Sequence, residues 1–92
     1  MALKNGKPTL VEFYADWCEV CKGLVSEEIK VERKYRNDVN FVMLNIDNSK
    51  WQQEMDEYHV SGVPHFVFMD SMGNPMAAAV GKIPVEILEY VS

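Results

Sequence analysis

Basic residues are scarce in this chain. Nine Lys and Arg stand against fourteen Asp and Glu, a formal net charge of −5. Nucleic acids and anionic membrane surfaces are bound through clustered positive charge, so neither is an expected partner. Long apolar runs are lacking too. None approaches the roughly 20 residues that span a bilayer, and direct membrane insertion by this chain is not expected. The opening Met-Ala-Leu-Lys-Asn-Gly-Lys-Pro has no apolar core of a signal peptide. Either the chain is cytosolic or an address and anchor have been cut away. Cysteine occurs twice, which is too few to staple a secreted scaffold but suits a pair that cycles between thiol and disulfide. Linkers, repeats and low-complexity segments are absent, so residues 1–92 are expected to form a single domain. Its 48% apolar and 25% charged content is that of a soluble globular protein.

What is present is concentrated in Trp17-Cys18-Glu19-Val20-Cys21, which follows directly on the apolar run from Leu10 to Ala15. A strand that delivers Cys-x-x-Cys to the first turn of a helix places one sulfur where backbone N–H groups favour a thiolate. The second thiol then lies close enough to close a disulfide. Dithiol chemistry is the expectation.

Around that motif the periodicities predict an α/β chain in the order β-α-β-α-β-β-α. Thr9 to Ala15 is β-branched and aromatic, a strand buried on both faces. From Glu19 to about Arg36, Val20, Cys21, Leu24, Val25, Ile29 and Tyr35 recur at helical spacing, predicting one amphipathic helix of about four turns with a solvated Lys and Glu face. Val39 to Ile46 reads as a second interior strand. Ser49 is the expected cap of a helix over about Lys50 to His59, with Trp51, Met55 and Tyr58 on its apolar side. Phe66 to Met69, a turn cluster at 70–75 and Met76 to Val80 predict an antiparallel hairpin. Pro84 opens a closing helix, Val85 to Tyr90, with Ile87, Leu88 and Val91 as its stripe. The methionines read as gap-fillers.

Four blocks in this order resemble the thioredoxin family: Val11 to Lys22 around the cysteines, Leu44-Asn45-Ile46-Asp47, Tyr58-His59-Val60-Ser61-Gly62-Val63-Pro64, and Val80-Gly81. The cysteine block with Asn40 to Asn48 and Val63-Pro64-His65-Phe66 is similar to the thylakoid-associated members of cyanobacteria and chloroplasts. In that group a membrane-anchored domain faces the lumen and supplies reducing equivalents for cytochrome b6-f assembly. The resemblance implies a three-layer fold with a mixed central sheet flanked by helices. It also implies a protein-disulfide reductase without a cofactor, whose partners are disulfide-containing proteins and a thiol electron donor. Only eight residues precede Thr9, so the family's first strand is expected to be missing. That leaves the Val39 to Ile46 strand as a sheet edge, a template for weak homodimer formation.

The residues carry the following expectations. Cys18 is the exposed nucleophile and Cys21 the more buried resolving thiol; the alternative for both is a structural disulfide. Glu12 shares a strand face with Leu10 and Tyr14. Covered by a helix, it would have a raised pKa and exchange a proton with Cys21, as the Asp at the matching position does in the family; otherwise it snorkels to solvent. Glu19 and Val20 replace the family's Gly-Pro. The Glu19 charge disfavours the Cys18 thiolate and so makes the dithiol more reducing, while Val20 frees the turn from proline's fixed φ. By the resemblance, Val63-Pro64 is a cis-proline loop packed on the cysteines, and the Val63 backbone pairs with a target peptide as an added strand. His65 is either a neighbour that stabilises the thiolate or an ordinary, partly exposed His. Trp17 borders the nucleophile as a contact surface, and Tyr14 supports the cysteine loop from beneath; the alternative for either is simple core or surface packing.

Three other functions compete. Cys18, Cys21, His59 and His65 count out a Cys₂His₂ zinc set, though 37 residues separate the pairs. Two thiolates also suit Cu(I), which makes a copper carrier. A redox-inert docking domain would use the proline-loop surface alone.

Overall fold

The computed structural model of the chain describes residues 6–86 and residue 88. Its elements are β1 (Thr9–Tyr14), α1 (Glu19–Gly23), α2 (Val25–Tyr35), β2 (Asn40–Asn45), a 3₁₀ turn (Ser49–Trp51), α3 (Gln52–Glu57), β3 (His65–Met69) and β4 (Pro75–Val80). They form one mixed sheet in the order β2-β1-β3-β4. β1 runs parallel to β2 and antiparallel to β3, and β3 and β4 make the expected antiparallel hairpin.

Period-two alternation sorts β1 between two cores. Leu10 faces one way and joins Phe66, Phe68, Val39 and Tyr35, with Leu24 and Val31 of the α1–α2 segment packed over them. Val11 and Phe13 face the other way and join Leu44, Val67 and Met69 under Trp51, Met55 and Tyr58. A helix on each side of the sheet is the three-layer arrangement expected. Both faces of β1 and β3 are covered, which explains why these strands read as continuous apolar runs.

Several boundaries depart from expectation for local reasons. The single long helix is two: Leu24 N–H turns back to the Cys21 carbonyl at 3.1 Å, a tighter bond than the α-helical one, and it follows Gly23, a weak helix former. The break leaves Val20, Val25 and Ile29, expected in the core, exposed. The expected helix opens as the 3₁₀ turn, and Asn48, not Ser49, caps that turn, its side chain accepting from Lys50 N–H at 3.0 Å. Among the described residues β2 is an edge strand and only half-buried, where the apolar pattern suggested an interior strand. Half of the expected closing helix, Ile87, Glu89 and Tyr90, lies outside the described residues, as does Val91 of its stripe. Val85, Glu86 and Leu88 are helical, and Leu88 is fully buried against the α2 side core.

Two turns brace the β3–β4 hairpin at its opposite ends. The hairpin loop is held by Asp70, whose Oδ1 accepts from Met72 N–H and Asn74 N–H, both at 2.9 Å. At the end of β4, Gly81 adopts φ +88°, a conformation that L side chains rarely tolerate. Its N–H donates to the Pro64 carbonyl at 3.0 Å, so the Val80-Gly81 block anchors the proline loop.

Candidate active site

The chain leaves β1 at Tyr14 and turns at once into α1. Cys18 N–H donates to the Ala15 carbonyl at 3.1 Å, which tightens the turn and makes Cys18 the N-cap residue of α1. Its Sγ accepts from Cys21 N–H at 3.1 Å, the capping bond a Ser or Asp oxygen would make. That N–H is the group a Cys18 thiolate would use. Cys18 and Cys21 are joined as a disulfide with their Cα atoms 5.2 Å apart. One correction follows: Cys18 is as buried as Cys21, at 5% and 6% exposure, because its sulfur turns inward to that bond.

The cysteines pack with Ala15 against Tyr14, Ile46 and Val63. Val63 precedes Pro64 across a cis peptide bond, and Pro64 is fully buried. The proline loop thus lies against the cysteines, and Tyr14 packs on them from the end of β1. Trp17 is 62% exposed beside them, held by a bond from its Nε1 to Asp47 Oδ2 at 3.1 Å. Asn45 Nδ2 donates to Asp16 Oδ2 at 3.4 Å alongside. These two contacts pin the cysteine loop to the end of β2. Asp16, Asn45 and Asp47 were visible only as parts of motifs; nothing local in the sequence announces a bond across some thirty positions.

Glu12 is buried at 5% exposure, which overturns the snorkelling alternative. Burial, and then the charge of Glu28, push its pKa from 4.5 up to about 8. Burial also raises Glu28. A cavity of about 210 Å³ connects this pair to Cys21, Lys22 and Tyr14. Glu28 is the functional candidate missed in sequence, having been read with the solvated face of the long helix.

Other expectations fare differently. His65 is buried rather than partly exposed, because β3 register sets it opposite Phe13, whose ring meets it edge-on at 6.1 Å. Burial lowers its pKa, and it does not line the cavity that reaches Cys21. Glu19 is exposed and paired with Lys22 at 3.3 Å, so a cation opposes its effect on the sulfurs. Val20 is 53% exposed on the same rim. The zinc set does not assemble. His59 is exposed with a left-handed φ of 55°, and among the described residues no three His, Cys, Asp or Glu side chains gather as metal ligands.

A Cys-x-x-Cys at a helix start, backed by a carboxyl group and flanked by a cis-proline loop, is the setting in which comparison with known proteins decides the family. The thioredoxin family model matches residues 1–92. The chain belongs to the thioredoxin family.

Among its relatives, the thioredoxin-like protein HCF164, chloroplastic, of Arabidopsis thaliana is 58% identical over 87 residues, 95% of this chain and 33% of the relative. A thiol:disulfide interchange protein TxlA homolog of Synechocystis is 48% identical over 88 residues, 96% of this chain and 49% of the relative. The chain therefore spans a third to a half of these relatives. The germline-specific thioredoxin Deadhead of Drosophila melanogaster superposes with a TM-score of 0.81 at 25% identity, over 95% of this chain and 80% of that one. The thioredoxin-like α/β fold thus holds across distant members. No helix among the described residues is long and apolar enough to cross a membrane.

Proposed function

We propose that this thioredoxin domain is a protein-disulfide reductase in which Cys18 is the nucleophile and Cys21 the resolving thiol. The observation that carries the reading is the packing of Val63, at the proline loop, directly on the Cys18–Cys21 pair. In the reduced protein the Cys18 thiolate attacks one sulfur of a target disulfide. A mixed disulfide forms and one target thiolate leaves. The Cys21 thiol then gives its proton to Glu12 and attacks Cys18 Sγ. The Cys18–Cys21 bond closes, and the second target sulfur departs as a thiolate that takes a proton from water. A thiol donor reduces the pair again. Exposed Trp17 offers the target an aromatic surface, and by the resemblance the Val63 main chain pairs with it as an added strand.

The resemblance to the thylakoid-associated group, together with the similarity to a chloroplastic relative, supports a place on the lumen side as a reductant for cytochrome b6-f assembly. The chemical test is trapping. A Cys21→Ser protein, reduced and mixed with disulfide-bearing proteins, is expected to accumulate adducts at Cys18 that dithiothreitol releases, and Cys18→Ser abolishes them. A protein that forms no adduct, or that carries stoichiometric zinc or retained Cu(I) instead, would refute the reading.

The edge strand supports a second proposal, weak homodimer formation. Asn40 to Asn45 contains no Lys, Pro or acidic residue, the usual devices that block edge pairing. Sedimentation should show a mass that rises with concentration; a monomer at every concentration excludes it.

A further inference from the structure

The charges of α2 are not all alike. Leu24, Glu28, Val31 and Tyr35 recur at the spacing of one helix face, and they are the only residues from 24 to 35 that are not exposed. One glutamate thus occupies a position on the core-facing stripe, where an apolar side chain is the rule. It lies across the same cavity from Glu12, near enough for its charge to raise the Glu12 pKa. Glu12 Oε2 and Glu28 Oε1 are each buried without a hydrogen-bond partner among the described residues. Both side chains line the cavity that reaches Cys21, and both line a second cavity of about 430 Å³ beside β2.

We propose that Glu28 is a positioning residue for disulfide exchange: by sharing a proton with Glu12 across the cavity that opens on Cys21, it sets the pH at which Glu12 takes the Cys21 proton. The inference rests on the reading of Cys18 and Cys21 as an exchanging dithiol. Two carboxylates this close cannot both ionise cheaply, so the pair holds one proton and titrates as a unit. When the shared proton sits on Glu28, Glu12 is ionised and takes the thiol proton as Cys21 attacks the mixed disulfide. Glu28, the more exposed of the two, returns a proton to water. Sulfur, proton and electrons balance: the dithiol is oxidised, the target disulfide is reduced, and no further oxidant is needed.

Other groups bear on the pair. Tyr14 of β1, Asp16 of the following loop and Lys22 of α1 line the Cys21 cavity, and Glu32 of α2 lines the other. Glu27 acts through its field on Glu28. β2 and β3 contribute Phe41, Met43 and Phe66, which do not titrate. Lys22 is the one cation lining either cavity among the described residues, and it is engaged with Glu19. Glu28 is thus the charge that acts on Glu12.

The test separates the two thiol steps. Reduced native, Glu28→Gln and Glu28→Leu proteins are loaded at Cys18 with thionitrobenzoate, and release of the aromatic thiol is timed against pH. Both substitutions remove the charge that opposes Glu12 ionisation, so the midpoint of release should move down by roughly one pH unit. The carboxyl ¹³C titration of Glu12 in the oxidised protein should move with it. Loading of Cys18 in a Cys21→Ser background, which does not use the pair, should be unchanged. Midpoints that coincide with the native one in both variants, or a Glu12 titration that stays put, overturn the role of Glu28 while leaving the exchange reaction intact. Failure of the native protein to form any Cys18 adduct overturns the exchange reading, and the inference with it. Glu28→Gln is nearly isosteric, so the experiment does not depend on the leucine variant folding.

Discussion

The strands of the sheet bury a carboxyl group on one face and an imidazole on the other. Glu12 lies under α2 at 5% exposure, and His65 lies on the α3 side at 7%. Burial penalises the charged form of either, so the carboxyl group titrates high and the imidazole low. Both are neutral around pH 7 for the same reason. Their surroundings differ. Glu12 stands on a cavity it shares with Cys21 and Glu28, whereas His65 meets the edge of Phe13 and leaves its Nε2 without a hydrogen-bond partner among the described residues. A shifted pKa reports desolvation. A route to a sulfur is a separate property, and only the α2 face has one.

The comparison can be broken most forcefully at the α3 face. Phe13 is fully buried there among Val11, Leu44, Val67 and Met69. Phe13→Ala should cost about 3–5 kcal/mol in urea unfolding, the range for truncating a closely packed aromatic. Cys18 should react normally in the protein that remains folded. A cost near zero would mean that this face is not close-packed, and the contrast with the cavity-bearing face would be lost.

A smaller effect sharpens the contrast through pH. Glu12 titrates above its ordinary value, so its contribution to stability is complete below about pH 4.5 and is lost as the pH rises towards about 8. The slope is at most about 1.4 kcal/mol per pH unit. His65 titrates below its ordinary value of 6.5; its contribution is present above that and is lost as the pH falls through the depressed value. Thermal melts against pH should therefore lose their alkaline decline in Glu12→Gln and part of their acid decline in His65→Gln. Only the glutamate change should slow resolution by Cys21. An alkaline decline that persists in Glu12→Gln would show that this carboxyl group is not held protonated.

Much of this was legible along the chain because it depends on neighbours in sequence. Alternation placed Glu12 with Leu10, and Cys18 at a helix start follows from strand and motif being contiguous. Glu28 was also within reach. It falls on the Leu24, Val31 and Tyr35 stripe once the helix is restarted at Leu24, and a single continuous helix blurred that register by recruiting Val25 and Ile29. His65 was harder, since its burial depends on strand register against Phe13, a contact fifty-two positions away.

The order of elements and the cysteine spacing follow from local chemistry, and these pointed to the family and to the dithiol exchange proposed for it. Which carboxyl group meets which, and which buried side chain shares a cavity with a sulfur, depend on how helices settle on the two faces of a sheet. Packing decides that, because the distances between such groups are set by residues far apart in the chain, and the chemistry of a buried proton depends on those distances.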